Sequence, residues 1–322
     1  MSVRRIQRAG FAILLFAFGL QGQQSGLVVS AGYSAPEPLK AAPGQVITLF
    51  VRGEQGTRLT AAAASLPLPT SLADYSVTLH QTFSSNPIPT PLFAVYPADQ
   101  CYGLSPSSCS LLTAITIQIP YELAPNVPRS GRPSNFAALT VSYRGAAGEA
   151  FPLDPVSDSI HMLNSCDSTF PPGFERPLDL AGPCKPLVAH LDGSLVTPSR
   201  PAVAGETLVL YAFGLGGAGA TVRSGEGVRS PLPLADVTIG FQVGVNLPPV
   251  RPAVQPPATG SSPLPVFAGL TPGQVGLYQI AFVVPPLPRT TEECTAARIN
   301  SNFTVTIARQ ASFDGAGICI AP

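Results

Sequence analysis

The sequence predicts an all-β protein: two tandem immunoglobulin-like β-sandwich domains after an N-terminal signal peptide. Three observations carry this. The chain holds 37 prolines and 30 glycines in 322 residues, and each proline inside a helix costs about 3 kcal/mol. Outside the first 22 residues no ten-residue window has a helical period. Several runs alternate with period two instead, as half-buried strands do. Ile115, Ile117 and Ile119 alternate with Thr116 and Gln118; Val237, Ile239, Phe241, Val243 and Val245 with Thr238, Gly240, Gln242 and Gly244; Phe303, Val305 and Ile307 with Thr304 and Thr306. The chain also repeats itself. APGQVITLF at 42–50 answers VAGETLVLY at 203–211, IQIP at 117–120 answers FVVP at 282–285, LTVSY at 139–143 answers FTVTI at 303–307, and LFA at 92–94 answers VFA at 266–268. Matches in one order at nearly constant offset mean a duplicated domain.

The elements follow in chain order. Arg4, Arg5 and Arg8 precede an apolar run at 11–20, which a polar stretch at 21–24 closes. That run is about half of the roughly 20 residues a spanning helix needs, so residues 1–22 read as a signal peptide. An uncleaved signal-anchor is the alternative. Cleavage near Gln23 removes three arginines and no acids, leaving the mature chain three charges negative. No cysteine follows the run, which argues against a lipid anchor. No later segment reaches spanning length without proline or charge, so no membrane span is expected after signal removal, and the location is secreted or cell envelope.

Residues 24–165 form the first sandwich, 166–186 a linker and 187–322 the second sandwich. Pro171, Pro172, Gly173, Pro177, Gly182, Pro183 and Pro186 make the linker stiff and extended. The six cysteines fit an oxidising compartment, and none sits in a C-x-x-C pair. Of the 15 pairings open to six cysteines, sequence proximity favours Cys101 with Cys109, Cys166 with Cys184, and Cys294 with Cys319. Six free thiols in a cytosolic chain is the alternative that the signal disfavours. With no tryptophan in the chain, "immunoglobulin-like" describes architecture and not antibody descent.

Composition excludes one class of partner. Lys plus Arg and Asp plus Glu both number 18, and Lys40 and Lys185 are the only lysines, so a nucleic-acid footprint is not expected. GLGGAG at 214–219 satisfies G-x-G-x-x-G, but the proline- and glycine-broken sequence at 221–233 cannot supply the helix whose N-terminus holds a dinucleotide's pyrophosphate. It reads as a glycine-rich loop, and no cofactor is expected. Three histidines are present. His190, Asp192 and Ser194 have the residue types of a hydrolytic triad, yet Asp192-Gly193 is a turn dipeptide. His80 shares a polar face with Thr78, and His161, three residues after Asp158, reads as structural. Metal ligation is not expected, because Asp192-Gly193 and Asp314-Gly315 lack the oxygen density of a calcium loop. Tyr33, Tyr96, Tyr102 and Tyr121 are candidates for stacking on sugars, with Tyr96 and Tyr102 beside the loop of Cys101 and Cys109 as the ligand contacts of choice. The longest loops, 96–111, 166–186 and 247–264, are candidate binding segments.

The opening APGQVITLF at 42–50 with IQIPYEL at 117–123, HLDGSLV at 190–196, YAFGLG at 211–216, FAGLTPGQVGLYQ at 267–279 and SFDGAGIC at 312–319 resembles an uncharacterised acidobacterial family of secreted C-terminal β-sandwich domains, here duplicated. The resemblance implies export and a sandwich fold, and it implies no reaction and no catalytic residue. The expected function is therefore a non-catalytic exported envelope, adhesion or scaffold protein. It would bind a protein or glycan of the cell surface through sandwich loops or edges. The alternative is a carbohydrate- or peptide-binding accessory protein of a secreted system.

Overall fold

The computed structural model describes residues 27–32, 40–52, 60–98, 111–126, 134–165, 167, 185–216, 222–234, 236–247, 264–286, 291–308, 310–312 and 314–321, and every regular element among them is a strand. The first sandwich contains β1 (Leu27–Gly32), β2 (Lys40–Ala41), β3 (Val46–Arg52), β4 (Ala61–Ala62), β5 (Ser71–Leu72), β6 (Tyr75–Gln81), β7 (Ile88–Pro89), β8 (Leu92–Pro97), β9 (Leu112–Gln118), β10 (Ala137–Tyr143) and β11 (Ala146–Pro155). The second contains β12 (His161–Met162), β13 (Val188–His190), β14 (Thr207–Phe213), β15 (Leu232–Pro233), β16 (Val237–Leu247), β17 (Phe267–Leu270), β18 (Tyr278–Val283), β19 (Ile299–Ile307), β20 (Gln310–Ala311) and β21 (Ala316–Ile318). Sheet order in the first is β1-β3-β9-β8-β4 opposite β2-β11-β10-β6-β5, with β7 also on β6. In the second it is β12-β14-β18-β17-β15, with β13 also on β14, opposite β16-β19-β20, with β21 also on β19. The protein is thus two tandem immunoglobulin-like β-sandwiches.

The duplication read from sequence is realised bond for bond at the turns that open β3 and β14. Gln45 N–H donates to the Ala42 carbonyl at 3.2 Å, and Glu206 N–H to that of Val203 at 3.1 Å. The side chains of Gln45 and Glu206 then accept from the backbone N–H of Ala42 (2.8 Å) and Val203 (3.1 Å). Gly44 and Gly205, both left-handed at φ 77° and 83°, donate to the carbonyls of Ile119 and Val284 at 2.9 and 2.8 Å. A residue with a Cβ is disfavoured in that conformation, which is why each repeat keeps the glycine.

Apolar alternation places Ile47, Leu49, Leu79, Ile115, Ile117 and Leu139 between the sheets of the first sandwich, all fully buried. In the second, Phe303 lies 4.5 Å from Phe241 of its own sheet and 4.6 Å from Phe282 of the opposite sheet, ring centre to ring centre. Burying such a side chain is worth about 1.5–3 kcal/mol. Two strands depart from the half-buried expectation: on β19 Thr304 is buried as well as Phe303 and Val305. The polar face of β9 is buried too: Thr116 shares a hydroxyl contact of 3.1 Å with Thr48, and Gln118 Oε1 accepts the Gly225 N–H at 2.6 Å.

The boundary expected between residues 165 and 166 lies earlier, at 156–160. His161 and Met162 pair with Phe213 and Ala212 of β14, and Val188, Ala189 and His190 pair with Leu210, Val209 and Leu208 of the same strand. Asn164 bridges Pro186, and Leu187 N–H donates to Leu163 at 2.8 Å. The residues on both sides of the proline-rich stretch therefore pair within the second sandwich. Two-residue β12 is too short to show a period, so the prolines dominate the sequence signal.

The two sandwiches share a buried joint. Leu163, Leu187, Phe213, Val275 and Leu277 of the second belong to the apolar core of the first, and Tyr121 of the first belongs to that of the second. Tyr121 N–H donates to Ser224 Oγ at 2.8 Å, Ser224 Oγ donates to Glu122 Oε2 at 2.6 Å, and Leu68 N–H donates to the Gly225 carbonyl at 2.8 Å. At Gly276, φ 66°, a Cβ would stand 2.5 Å from the Gly44 carbonyl oxygen, so the joint closes only over glycine.

Candidate functional site

Of the glycine-rich run at 214–219, Gly214 and Gly216 are described, and both serve the joint. Gly214 and Gly216 are left-handed, and a Cβ on either would stand 2.1 Å from the carbonyl oxygen of Ser159 or Ser157. Ser159 N–H donates to Gly214 at 2.8 Å, and the Tyr278 hydroxyl donates to the Gly216 carbonyl at 2.9 Å. These glycines let the crossing segment lie against the end of β14.

The three histidines separate. His80 is exposed, its Nε2 3.2 Å from Thr78 Oγ1. His190 Nδ1 is 2.5 Å from Glu206 Oε1, and Ser194 Oγ instead donates to Asp192 Oδ1 at 2.7 Å. Asp192 also holds the Arg200 guanidinium at 2.7 Å, and the hydroxyl of Ser194 with that guanidinium keeps its carboxyl well below the usual range. So His190, Asp192 and Ser194 form no nucleophile–base pair. The turn is exposed and closed on itself.

His161 is buried between two carboxylates. Its Nδ1 lies 2.6 Å from Asp314 Oδ2 and its Nε2 3.0 Å from Asp167 Oδ2, with all three side chains at most 3% exposed. Asp314 Oδ1 accepts the Met162 N–H at 3.1 Å and Asp167 Oδ2 that of Asn164 at 2.8 Å. Burial alone would lower the imidazole's pKa; the charges of Asp167 and Asp314 and their hydrogen bonds outweigh it and raise it to about 10. His161 is therefore a protonated clamp between the start of the second sandwich and its C-terminal strand. Both ring nitrogens are engaged, which leaves none to take a proton from a nucleophile. Asp158 bonds Ser157 at 2.8 Å.

Among the proposed ligand contacts, Tyr96 sits on β8, half-buried against Phe50, Ala98, Leu112 and Ala114, its hydroxyl 3.3 Å from Thr116 Oγ1. Tyr121 is buried at the joint, where loss of solvent pushes its hydroxyl up to about 12. Tyr33 and Tyr102, and Cys101, Cys109, Cys166 and Cys184 with most of the three long loops, lie outside the described residues. Cys294 and Cys319 are bonded, their Cα atoms 5.5 Å apart, as proximity predicted.

The feature sequence reasoning missed is a corner of the first sandwich beside the joint. Phe83 and Phe136 are 58% and 65% exposed. Both hang on one clamp: Thr82 N–H donates to the Phe136 carbonyl at 2.9 Å, and Phe136 N–H donates back to Thr82 Oγ1 at 2.9 Å. Next to Phe136 in the chain, buried Asn135 bonds Thr82, Gln81, Ala124 and Asn126. Gln81 Nε2 reaches the Glu122 carbonyl at 2.9 Å, and Glu122 holds Ser224 of the second sandwich. Phe136 and the residue before Phe83 are thus tied into a hydrogen-bonded frame continuous with the joint. Nothing in the periodicity marks either phenylalanine, because both fall just past strand ends.

No family model matches the chain, and no curated protein does. Among solved structures it is similar to "Tandem Ig repeats of Dlar", at 7% identity over 91% of this chain and 98% of that one, with a TM-score of 0.16. It is likewise similar to "Streptococcus agalactiae AgI/II polypeptide BspA C terminal domain (WT)", at 8% identity over 91% of this chain and 99% of that one, with a TM-score of 0.17.

Proposed function

We propose that this chain is a non-catalytic exported module of the cell envelope, of adhesion or scaffold type, that holds a protein or glycan of the cell surface at the corner of Phe83 and Phe136. The observation that carries the reading is that corner: two largely exposed aromatic side chains on one backbone clamp, over a frame whose donors and acceptors already bond one another. Single exposed apolar side chains are ordinary. Two beside one clamped stretch of backbone keep that backbone in place on contact, which favours a binding anchor. The signal-like N-terminus and the bonded cysteines support export. The engagement of both ring nitrogens of buried His161 by carboxylates supports the non-catalytic part.

The test is saturable binding of the purified mature chain to envelope fractions of the source cells, before and after protease or glycosidase treatment. The expected result is binding that Phe83→Ser with Phe136→Ser weakens at least tenfold while the melting temperature is kept. Equal binding by that double variant would refute the role of the corner.

A further inference from the structure

The end of the first sandwich that the joint buries has a counterpart on the second. The matched turns at 42–45 and 203–206 mark both ends, and so does one further backbone bond: Val156 N–H donates to the Ala41 carbonyl at 2.9 Å, and Ala321 N–H to that of Ala202 at 2.7 Å. On the first sandwich this end is covered. Ala42, Pro43, Gly44 and Gln45 are buried, and so is Gln118, whose side chain accepts the Gly225 N–H of the second sandwich. On the second sandwich the matching residues are exposed. Val203, Ala204 and Gly205 are so, Val203 by 50%, and Val283, which stands where the first repeat has Gln118, is exposed by 39%. A Cβ added at Gly205 meets nothing within 4 Å. The same end gathers apolar side chains. Of the nine large ones exposed among the described residues, five, namely Leu191, Val203, Leu264, Val266 and Val283, belong to it. Single exposed apolar residues are ordinary, but a group of them marks an interaction surface. The register sets them along one row of strand ends, opposite the joint end of β14. Leu191 follows His190, which pairs with Leu208; Thr207 pairs with Val283; and Val266 N–H donates to Ala281 at 2.7 Å. The rim carries both signs of charge, for Asp192 and Arg200 are each more than half exposed.

We infer that a second copy of this chain docks at this end of the second sandwich, end to end about a twofold axis. The chemistry of the end selects the occupant. A head-to-tail contact that repeated the joint would bring an N–H like that of Gly225 to Val283, which has no acceptor for it, and a buried donor without a partner is costly. A lipid surface would have to desolvate Asp192, Arg200 and Glu206 at the same turn. The end does match itself. Leucine and valine meet leucine and valine, their removal from water drives the contact, and a twofold makes one patch complement its own copy. It can also set each Asp192 against the partner's Arg200, so the charged rim is complementary too. The surface is separate from the aromatic corner, which belongs to the first sandwich, and its assay does not involve the envelope.

The experiment is sedimentation equilibrium of the full mature chain over a hundredfold concentration range. The expected result is a reversible dimer that is monomeric at the dilute end of the range. Leu191→Asp with Val203→Asp sets carboxylates against carboxylates across the twofold. Both side chains are exposed, so the pair should weaken the dimer at least tenfold at unchanged melting temperature. Leu111→Asp alters an exposed side chain next to β9 at the far end of the first sandwich and should dimerise like wild type. A wild-type chain monomeric throughout, as it would be if this end meets a lipid surface or another protein, overturns the inference. So do species that grow beyond the dimer, a double-aspartate variant that dimerises like wild type, or a Leu111→Asp variant that dissociates, as a head-to-tail contact would require.

Discussion

Replacing His161 by leucine removes the cation from between Asp167 and Asp314 and leaves two carboxylates, each at most 2% exposed, facing one another without it. Breaking a buried ion pair by deleting one partner costs about 3–5 kcal/mol. The pKa route gives a similar figure: an imidazole that holds its proton to about pH 10 instead of 6.5 contributes roughly 5 kcal/mol at about 1.4 kcal/mol per pH unit. Because the folded value is raised, the contribution is complete below about pH 6.5 and is lost as pH climbs to about 10. Asp314, whose carboxyl burial pushes up, takes part of it back above its own folded value. The variant should therefore melt about 6–20 °C lower at neutral pH, at roughly 2–4 °C per kcal/mol for a unit of this size. Its deficit should narrow as acid protonates Asp314 and as base discharges His161 in the wild type. Thermal melts by circular dichroism from pH 4 to 10 are the assay. A loss under about 1 kcal/mol at neutral pH, or a deficit that does not change with pH, would refute the clamp.

Gly276→Ala puts a methyl group 2.5 Å from the Gly44 carbonyl oxygen and 2.8 Å from Val46 Cγ2, so about 2–4 kcal/mol of overpacking and left-handed strain is expected; small-angle scattering should show a larger radius of gyration as the joint parts. Cys319→Ser opens a loop with a sequence separation of 25 and should lower stability by at most about 3.5 kcal/mol in the chain-entropy model, read by urea melts with and without reductant; indifference to reductant would contradict it. N-terminal sequencing of protein recovered outside the cytoplasm should begin near Gln23, and intact Met1 on cytoplasmic protein would contradict export.

The strands were legible because alternation is local: Ile115, Ile117 and Ile119, or Val237, Ile239 and Phe241, declare their inner face within a few residues. The duplication was legible because the turns at Gly44 and Gly205 need the same residues for the same bonds. The place of His80 on a polar face with Thr78 and the structural role of His161 also followed from sequence. The partners of His161 did not, because Asp314 lies 153 residues away and its neighbours form no motif. The joint was hidden for the same reason: nothing local says that Val275 and Leu277 enter the core of the other sandwich. The corner escaped notice because Phe136 meets Thr82 across 54 residues of chain and Asn135 is indistinguishable in sequence from any loop asparagine. Tyr96, legible as an aromatic residue near a loop, has its ring against Phe50 and Leu112, a contact set by strand pairing.

The central claim is that the joint makes two repeats one rigid body that carries the aromatic corner at a fixed position. Spin labels at exposed Ala147 of the first sandwich and exposed Ala204 of the second, introduced as Ala147→Cys and Ala204→Cys, measure this directly by pulsed electron resonance. The account predicts one narrow distance distribution that broadens in Gly276→Ala; a broad or multiple distribution in the otherwise unaltered chain would contradict it.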